Sequence, residues 1–424
     1  MAERTLPTDY WTTAEVMKGI FEAKVCLAKI HSPDGCEGKI IAAHTIPRSQ
    51  LRKIATNGHV YAIAATATDL ARNEGKLSAK QYGINEFSVL NCFCATHDNK
   101  LFAHVEDDPL VFDAHQLTLL HYRTLASELY RKVASYHTVL YQVEAQQKKT
   151  PRDKEATEFL TASAAGNLLG IRDVGTAFDR CANNLFAKKY GDISALVVHF
   201  KKLPSVMTVG SFLPQYDYDA KPLQLIHDPE ILAQTVSFNI LASQDHAALA
   251  MLWFKDCNLI KPLAESFIAQ ESEHYTTLAI QTAFEYLENT CMQPTWWEGE
   301  KQVVQNLLIE RMQRAGTPFE ERKAACLTFC GVGFDQWDYS HHEFLSYLNG
   351  GTGYWASRRA SFLVSSLAAE RRPGSSRSRK YPSACPVASF AMKQASLLSS
   401  NRPGRREAVR TSARHLPDGT VVIG

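Results

Sequence analysis

Two distant pairs of potential metal ligands constrain this chain more than any other feature of its sequence. Cys26 and Cys36 have nine residues between them, and Cys94 and His97 follow far downstream with two residues between them. A Cys-x-x-His pair at a helix start places both side chains on one turn, where they converge. Zinc takes four soft or borderline ligands in a tetrahedron, so a second pair arriving from a loop completes the shell. The expectation is a structural zinc ion held by Cys26, Cys36, Cys94 and His97. The sequence also offers substitutes: Cys92 could stand in for Cys94, and His31 lies inside the first loop. Zinc bound in this way contributes on the order of 10 kcal/mol to folding. That would compensate for the small apolar core of a loop-rich segment.

The rest of the composition agrees with thiols that stay reduced. At 424 residues, 45% hydrophobic and 21% charged, the chain has the make-up of a globular protein of two or three domains. It has no apolar run near the ~18 residues that a membrane helix needs. Met1 to Trp11 contain no apolar stretch of the secretory kind, so a cytoplasmic protein without membrane contact is expected. Clustered cysteines there are more often metal ligands than disulfide partners. The six cysteines after Cys94 are scattered and read as small buried hydrophobes.

The net charge of +2 conceals an asymmetry. Residues 351–424 hold 13 Lys and Arg against 3 Asp and Glu, a net of +10, which leaves the first 350 residues at −8. An acidic body makes a poor generic binder of phosphate backbones, whose non-specific affinity comes from Lys and Arg. A small, locally basic site remains compatible with that balance.

An α+β chain in four parts is predicted. Residues 1–110 hold the zinc ligands, with a helical lead-in whose capping box begins at Thr12, strands over Lys39–Ala42 and His59–Ala64, and a short helix at Ser49–Ala55. Asn57 and Gly58 mark the turn before the second strand. Residues 111–190 read as a long helical hairpin: Leu117, Leu120, Leu125, Leu129 and Val133 recur near helical spacing, and Pro151 restarts a second helix. Residues 191–350 are mixed. Strands are expected at Ile193–His199, Ser205–Phe212 and Thr235–Leu241, a strand or short helix at Ala247–Phe254, and helices from Leu263 to Thr290 and from Thr295 to Gly316. Trp296 and Trp297 anchor a helix start. Residues 351–424 are basic, rich in Ser, Pro and Arg, and expected to be disordered.

Beyond the zinc ligands, the segment Ala43, His44, Thr45, Ile46, Pro47 and the run from Cys92 through Asp98 carry a resemblance. Two early cysteines, a His-x-Ile-Pro phrase and a late Cys-x-x-His together resemble a zinc-bound HNH endonuclease, over about residues 25–105. These phrases, with Asn57 to Tyr61, His121 to Arg123, Glu288, Asn289 and the paired tryptophans, are also similar to a group of uncharacterised bacterial zinc-finger-like proteins. The HNH resemblance implies a treble-clef, ββα-metal unit and a metal-dependent nuclease acting on DNA or RNA. In such an enzyme the first histidine is the general base that activates water, a role that falls to His44. A magnesium or manganese ion clamps the scissile phosphate. Its ligands in the family are an acid just before the base and a histidine just after the last zinc ligand. Here Ala43 stands in the first place and Asp98 in the second, with Asn99 or Glu106 available to help rebuild a cation site. The alternative is a non-catalytic interaction or regulatory protein, in which zinc braces the helices and Asp98 orients His97.

Elsewhere the signals are weak. Glu271, Glu273 and His274 read as a solvated face. His341, His342 and Glu343 have no partner at ligand spacing. Arg123 and Glu128 are not neighbours on one helix face.

Overall fold

The computed structural model describes residues 8–347, apart from 37, 65, 67–68, 71–72, 149–152, 227 and 316–321, together with 413–415 and 421–423. The disorder expected of residues 351–424 lies outside the described residues, except that Ala413–His415 pairs antiparallel with Val421–Ile423. Among the described residues no helix is long and apolar enough to cross a membrane.

The helices are α1 (Thr8–Phe21), α2 (Arg48–Ile54), α3 (Ala95–Glu106), α4 (Ala114–Gln147), α5 (Lys154–Phe186), α6 (Ile260–Ala269), α7 (Tyr275–Tyr286), α8 (Pro294–Gly299) and α9 (Gln302–Ala315). The strands are β1 (Ile40–His44), β2 (His59–Ala64), β3 (Ser78–Gly83), β4 (Val89–Cys94), β5 (Ile193–Phe200), β6 (Val206–Phe212), β7 (Val236–Ser243), β8 (His246–Phe254), β9 (Thr290–Met292) and β10 (Tyr339–Ser346).

Eight strands form one sheet in the order β10-β5-β8-β7-β6-β9-β2-β3, with every neighbouring pair antiparallel. Strands β7 and β8 are buried along almost their whole length; β8 runs apolar with little alternation, while β7 interleaves the buried polar Ser237 and Asn239 with Val236, Phe238 and Ile240. Helices on both faces account for this. One face, with Ala195, Val197 and Leu252, shares a core with the α4–α5 hairpin. The other, with Leu196, Val198 and Met251, packs against α6, α7 and α9. A strand covered on both sides has no wet face to mark with polar residues.

The hairpin follows the sequence closely. Asp113 caps α4 by accepting the Gln116 backbone N–H at 2.8 Å, and Asp153 caps α5 through Ala156 N at 2.9 Å. At 34 residues α4 runs roughly 50 Å. Three expectations are corrected. Helix α1 already includes Thr8, so Thr12 lies within it and is not its cap. The helix expected from Leu263 to Thr290 is two helices followed by β9, broken where Gln270 to His274 lack apolar periodicity. The boundaries at 110 and 190 divide neither sheet nor core. Strands β2 and β3 join the large sheet through β9, where Ala62 pairs with Cys291, and one core runs from Cys26 to Leu345.

The N-terminal part is fastened by polar contacts as well. Tyr130 Oη on α4 donates to the carbonyls of Phe21 and Ala23 at 2.8 and 2.7 Å. Gln50 on α2 accepts the Ala242 backbone N–H at 3.2 Å, and Ser243 Oγ donates to the Leu110 carbonyl at 3.0 Å.

His121 on α4 gives a test of how the hairpin sits on the sheet. It is fully buried, its Nδ1 lies 2.8 Å from Ser237 Oγ on β7, and Nε2 has no hydrogen-bond partner. Burial, aided by the charge of Arg180, pushes its pKa down to about 3. The unfolded chain therefore binds this proton near pH 6.5 while the folded chain resists it. Stability attached to His121 is complete above 6.5 and drains away as pH falls toward 3. We expect His121→Gln to flatten this part of the acid-unfolding curve. A variant with the parent's pH slope between 6 and 4 would place His121 in a solvated setting.

Candidate metal centre

Strands β1 and β4 pair antiparallel, with Ile40 opposite Cys94 and His44 opposite Val89, and α3 follows β4 without a break. The chain before β1 makes two short turns at Leu27–Ile30 and Pro33–Gly35 that carry Cys26 and Cys36 beside the end of β4. The polypeptide thus supplies two ligands from a loop and two from a strand-to-helix junction. Ligand atoms of Cys26, Cys36, Cys94 and His97 all lie within 4.8 Å of one another. Cys26 Sγ is 3.3 Å and Cys94 Sγ 3.4 Å from His97 Nδ1, while the Cys36 and Cys94 sulfurs are 3.8 Å apart.

These separations suit a tetrahedral zinc ion. Bonds of about 2.3 Å to sulfur and 2.0–2.1 Å to nitrogen give edges of roughly 3.8 Å between sulfurs and 3.5 Å between sulfur and nitrogen. Each ligand has structural support. Cys94 is the N-cap of α3, its sulfur accepting the His97 backbone N–H at 3.5 Å. Nδ1 of His97 faces the sulfurs. Nε2 faces Gly35, where an added Cβ would come within 3.2 Å. Burial lowers the His97 pKa, with the Ser32 backbone opposing and Lys100 reinforcing that shift. Neutral imidazole is the ligating form.

The thiols tell the same story from the other side. Burial pushes Cys26 up to about 12; the Cys94 backbone pulls the other way, and the neighbouring thiols of Cys94 and Cys36 add to the rise. Three thiolates packed together need a cation, and a divalent ion reverses this pKa logic by deprotonating them. The donor set therefore fits zinc, which would supply a cross-link between loop and helix. Cys92 is buried elsewhere in the core and is not part of the cluster. His31 is also outside it, 3.6 Å from Asp179 and ring-stacked on Phe186.

The two residues expected to carry catalysis are placed differently. His44 ends β1, four positions along the strand from the Cys94 end, or roughly 13 Å. Its Nε2 lies 2.9 Å from the Ile84 carbonyl. A carbonyl only accepts, so Nε2 is the donor of this pair. Asp98 sits in the first turn of α3, and its Oδ1 is buried with no hydrogen-bond partner. Burial pushes its pKa up to about 6, the Arg123 charge opposing and Glu106 adding to the rise. Arg123, on α4, is 3% exposed, ion-paired with Glu106 and 3.8 Å above the Phe102 ring. Asp98 thus belongs to a charged cluster between α3 and α4. Among the described residues, neither His44 nor Asp98 shares a cluster of three or more ligand-type side chains. Ala43 offers no donor, and Glu106 is ion-paired with Arg123.

Two other expectations resolve here. Arg123 and Glu128 make separate contacts, with Glu106 and with Lys132. Trp297 is buried in the core, as an anchoring role requires.

No protein-family model, curated protein or solved structure matches this chain.

Proposed function

We propose that the Cys26, Cys36, Cys94 and His97 centre is a structural zinc site of treble-clef type, and that the protein acts by binding rather than by phosphodiester hydrolysis. The observation carrying this reading is the setting of Asp98. Its Oδ1 is buried without a hydrogen-bond partner, in the field of the buried Arg123 on α4. A cation that clamps a phosphate needs carboxylate oxygens open to the substrate. The zinc-held unit instead fixes β1, β4 and α3 against the long hairpin, and that hairpin against the sheet.

A second reading, an HNH-like metal-dependent nuclease, has one specific support. The order of loop ligands, β1, β4 and α3 puts His44 on the first strand, with Nε2 held by the Ile84 carbonyl. A neutral imidazole so held can take a proton from water. Purified full-length protein, incubated with magnesium or manganese and with single- and double-stranded DNA and RNA, separates the two. We expect no cleavage, and unchanged zinc content and melting in His44→Ala. Metal-dependent cutting that His44→Ala abolishes would replace the first reading with the second.

A further inference from the structure

The dipeptide His341 and His342, followed by Glu343, has no partner nearby in the sequence. The fold supplies one from 142 positions upstream. Strand β10 is the edge of the large sheet, and His341 lies directly opposite His199 on β5. Glu343 pairs with Val197, two residues along both strands, so His199, His341 and Glu343 project from the same face. This is the face that packs toward the α4–α5 hairpin, where Phe112 meets the His199 ring edge-on at 5.7 Å.

We propose that His199, His341 and Glu343 form a second metal site, for a divalent ion of the zinc and first-row transition class. Both His199 Nε2 and His341 Nε2 lie 3.6 Å from Glu343 Oε1. Three ligands about 2.0–2.1 Å from one ion in tetrahedral array are roughly 3.3 Å apart. The two histidine–carboxylate edges are therefore within a few tenths of an ångström of that value, and all three ligand atoms lie within 4.8 Å of one another. Two imidazoles and one carboxylate suit zinc, iron(II), cobalt or nickel better than magnesium or calcium, which favour oxygen. The imidazoles stack with centroids 4.4 Å apart and planes 7° from parallel, so binding one ion requires the exposed His341 ring to turn until both in-plane lone pairs meet at the metal. Ser340 Oγ lies 3.2 Å from His341 Nδ1, so the outer nitrogen of that ring is held by a partner other than the ion. His246, first residue of β8, brings a third ring 5.9 Å from His199 on the same side.

Exposure also fits a site with an open position. The His199 side chain is 13% exposed, Glu343 34% and His341 58%. A bound ion would be rooted in the sheet and accessible from one side, the arrangement that leaves room for water or an exogenous ligand. Without an ion, two imidazoles share one carboxylate oxygen. This proposal is independent of the reading of the cysteine centre, because the two sites share no ligand.

The test uses untagged full-length protein equilibrated with Zn2+, freed of excess metal and assayed for zinc per chain. We expect two equivalents in the parent and one in the double variant His341→Ala, Glu343→Gln. Both substitutions fall on the solvent-edge strand, and unchanged thermal melting of the apo-edge variant in chelator-free buffer would verify its fold. Cobalt substitution tells the sites apart. Thiolate-to-cobalt charge transfer reports the cysteine centre and should survive the double variant, whereas the weaker visible bands of the nitrogen-oxygen site should vanish. Zinc content that the double variant leaves unchanged, whether one equivalent or two, would overturn the proposal. Loss of the charge-transfer band alone would strike the cysteine centre and not this site.

Discussion

Replacing Cys94 by alanine, or stripping zinc with a strong chelator, is expected to unfold the zinc-held unit rather than trim its stability. Cys94 is at once a member of the candidate metal cluster, a fully buried core residue and the N-cap of α3. Its loss removes one of four bonds to an ion that contributes on the order of 10 kcal/mol in small zinc units. A whole protein is typically stable by only about 5–15 kcal/mol. Chelated or Cys94→Ala protein should therefore lose zinc, melt tens of degrees lower and become open to protease between Cys26 and Glu106. Cys181→Ala is the control. That thiol is equally buried, on α5, but outside the cluster, and its removal should cost about 1–2 kcal/mol and leave zinc in place. If the chelated protein melts and resists protease like the parent, no metal holds these elements together.

The convergence of Cys26, Cys36, Cys94 and His97 was legible because zinc imposes a small vocabulary of ligand types and spacings. The helical hairpin was legible for a similar reason, since apolar periodicity is a local signal. What the sequence hides is register. Nothing local says that three residues, Thr290–Met292, will wedge between β2 and β6 and carry the N-terminal strands into the large sheet. Nor does anything local bring His341 opposite His199, because strand pairing between distant segments is fixed by the packed whole. Asp98 illustrates the same limit. Its spacing from His97 suits a cation ligand or a group orienting the histidine, and only the packing of α4 on α3 brings it under the influence of Arg123. Spacing identified the residues that could do chemistry, and packing decided which way they faced.

That packing can be tested at Arg123 by its replacement with methionine. Methionine keeps an apolar stem beside Phe102 but removes the charge that serves Glu106 by ion pair and offsets Asp98 by field. The Glu106 side chain is 34% exposed and partly hydrated, so breaking this pair from the arginine side costs about 1–3 kcal/mol. Urea unfolding of the zinc-loaded variant at neutral pH should register a loss of this size. Adding Glu106→Gln should recover part of it, since a neutral amide no longer needs the guanidinium. Adding Asp98→Asn to Arg123→Met should recover a further part if Asp98 answers to Arg123. Contacting groups in one network are expected to couple by about 0.5–3 kcal/mol. A cation ligand would behave in the opposite way: Asp98→Asn would bring no recovery in the Arg123→Met background and would instead weaken manganese binding to the otherwise unmodified protein. The sign of that one coupling decides whether Asp98 belongs to the helix interface or to a catalytic metal.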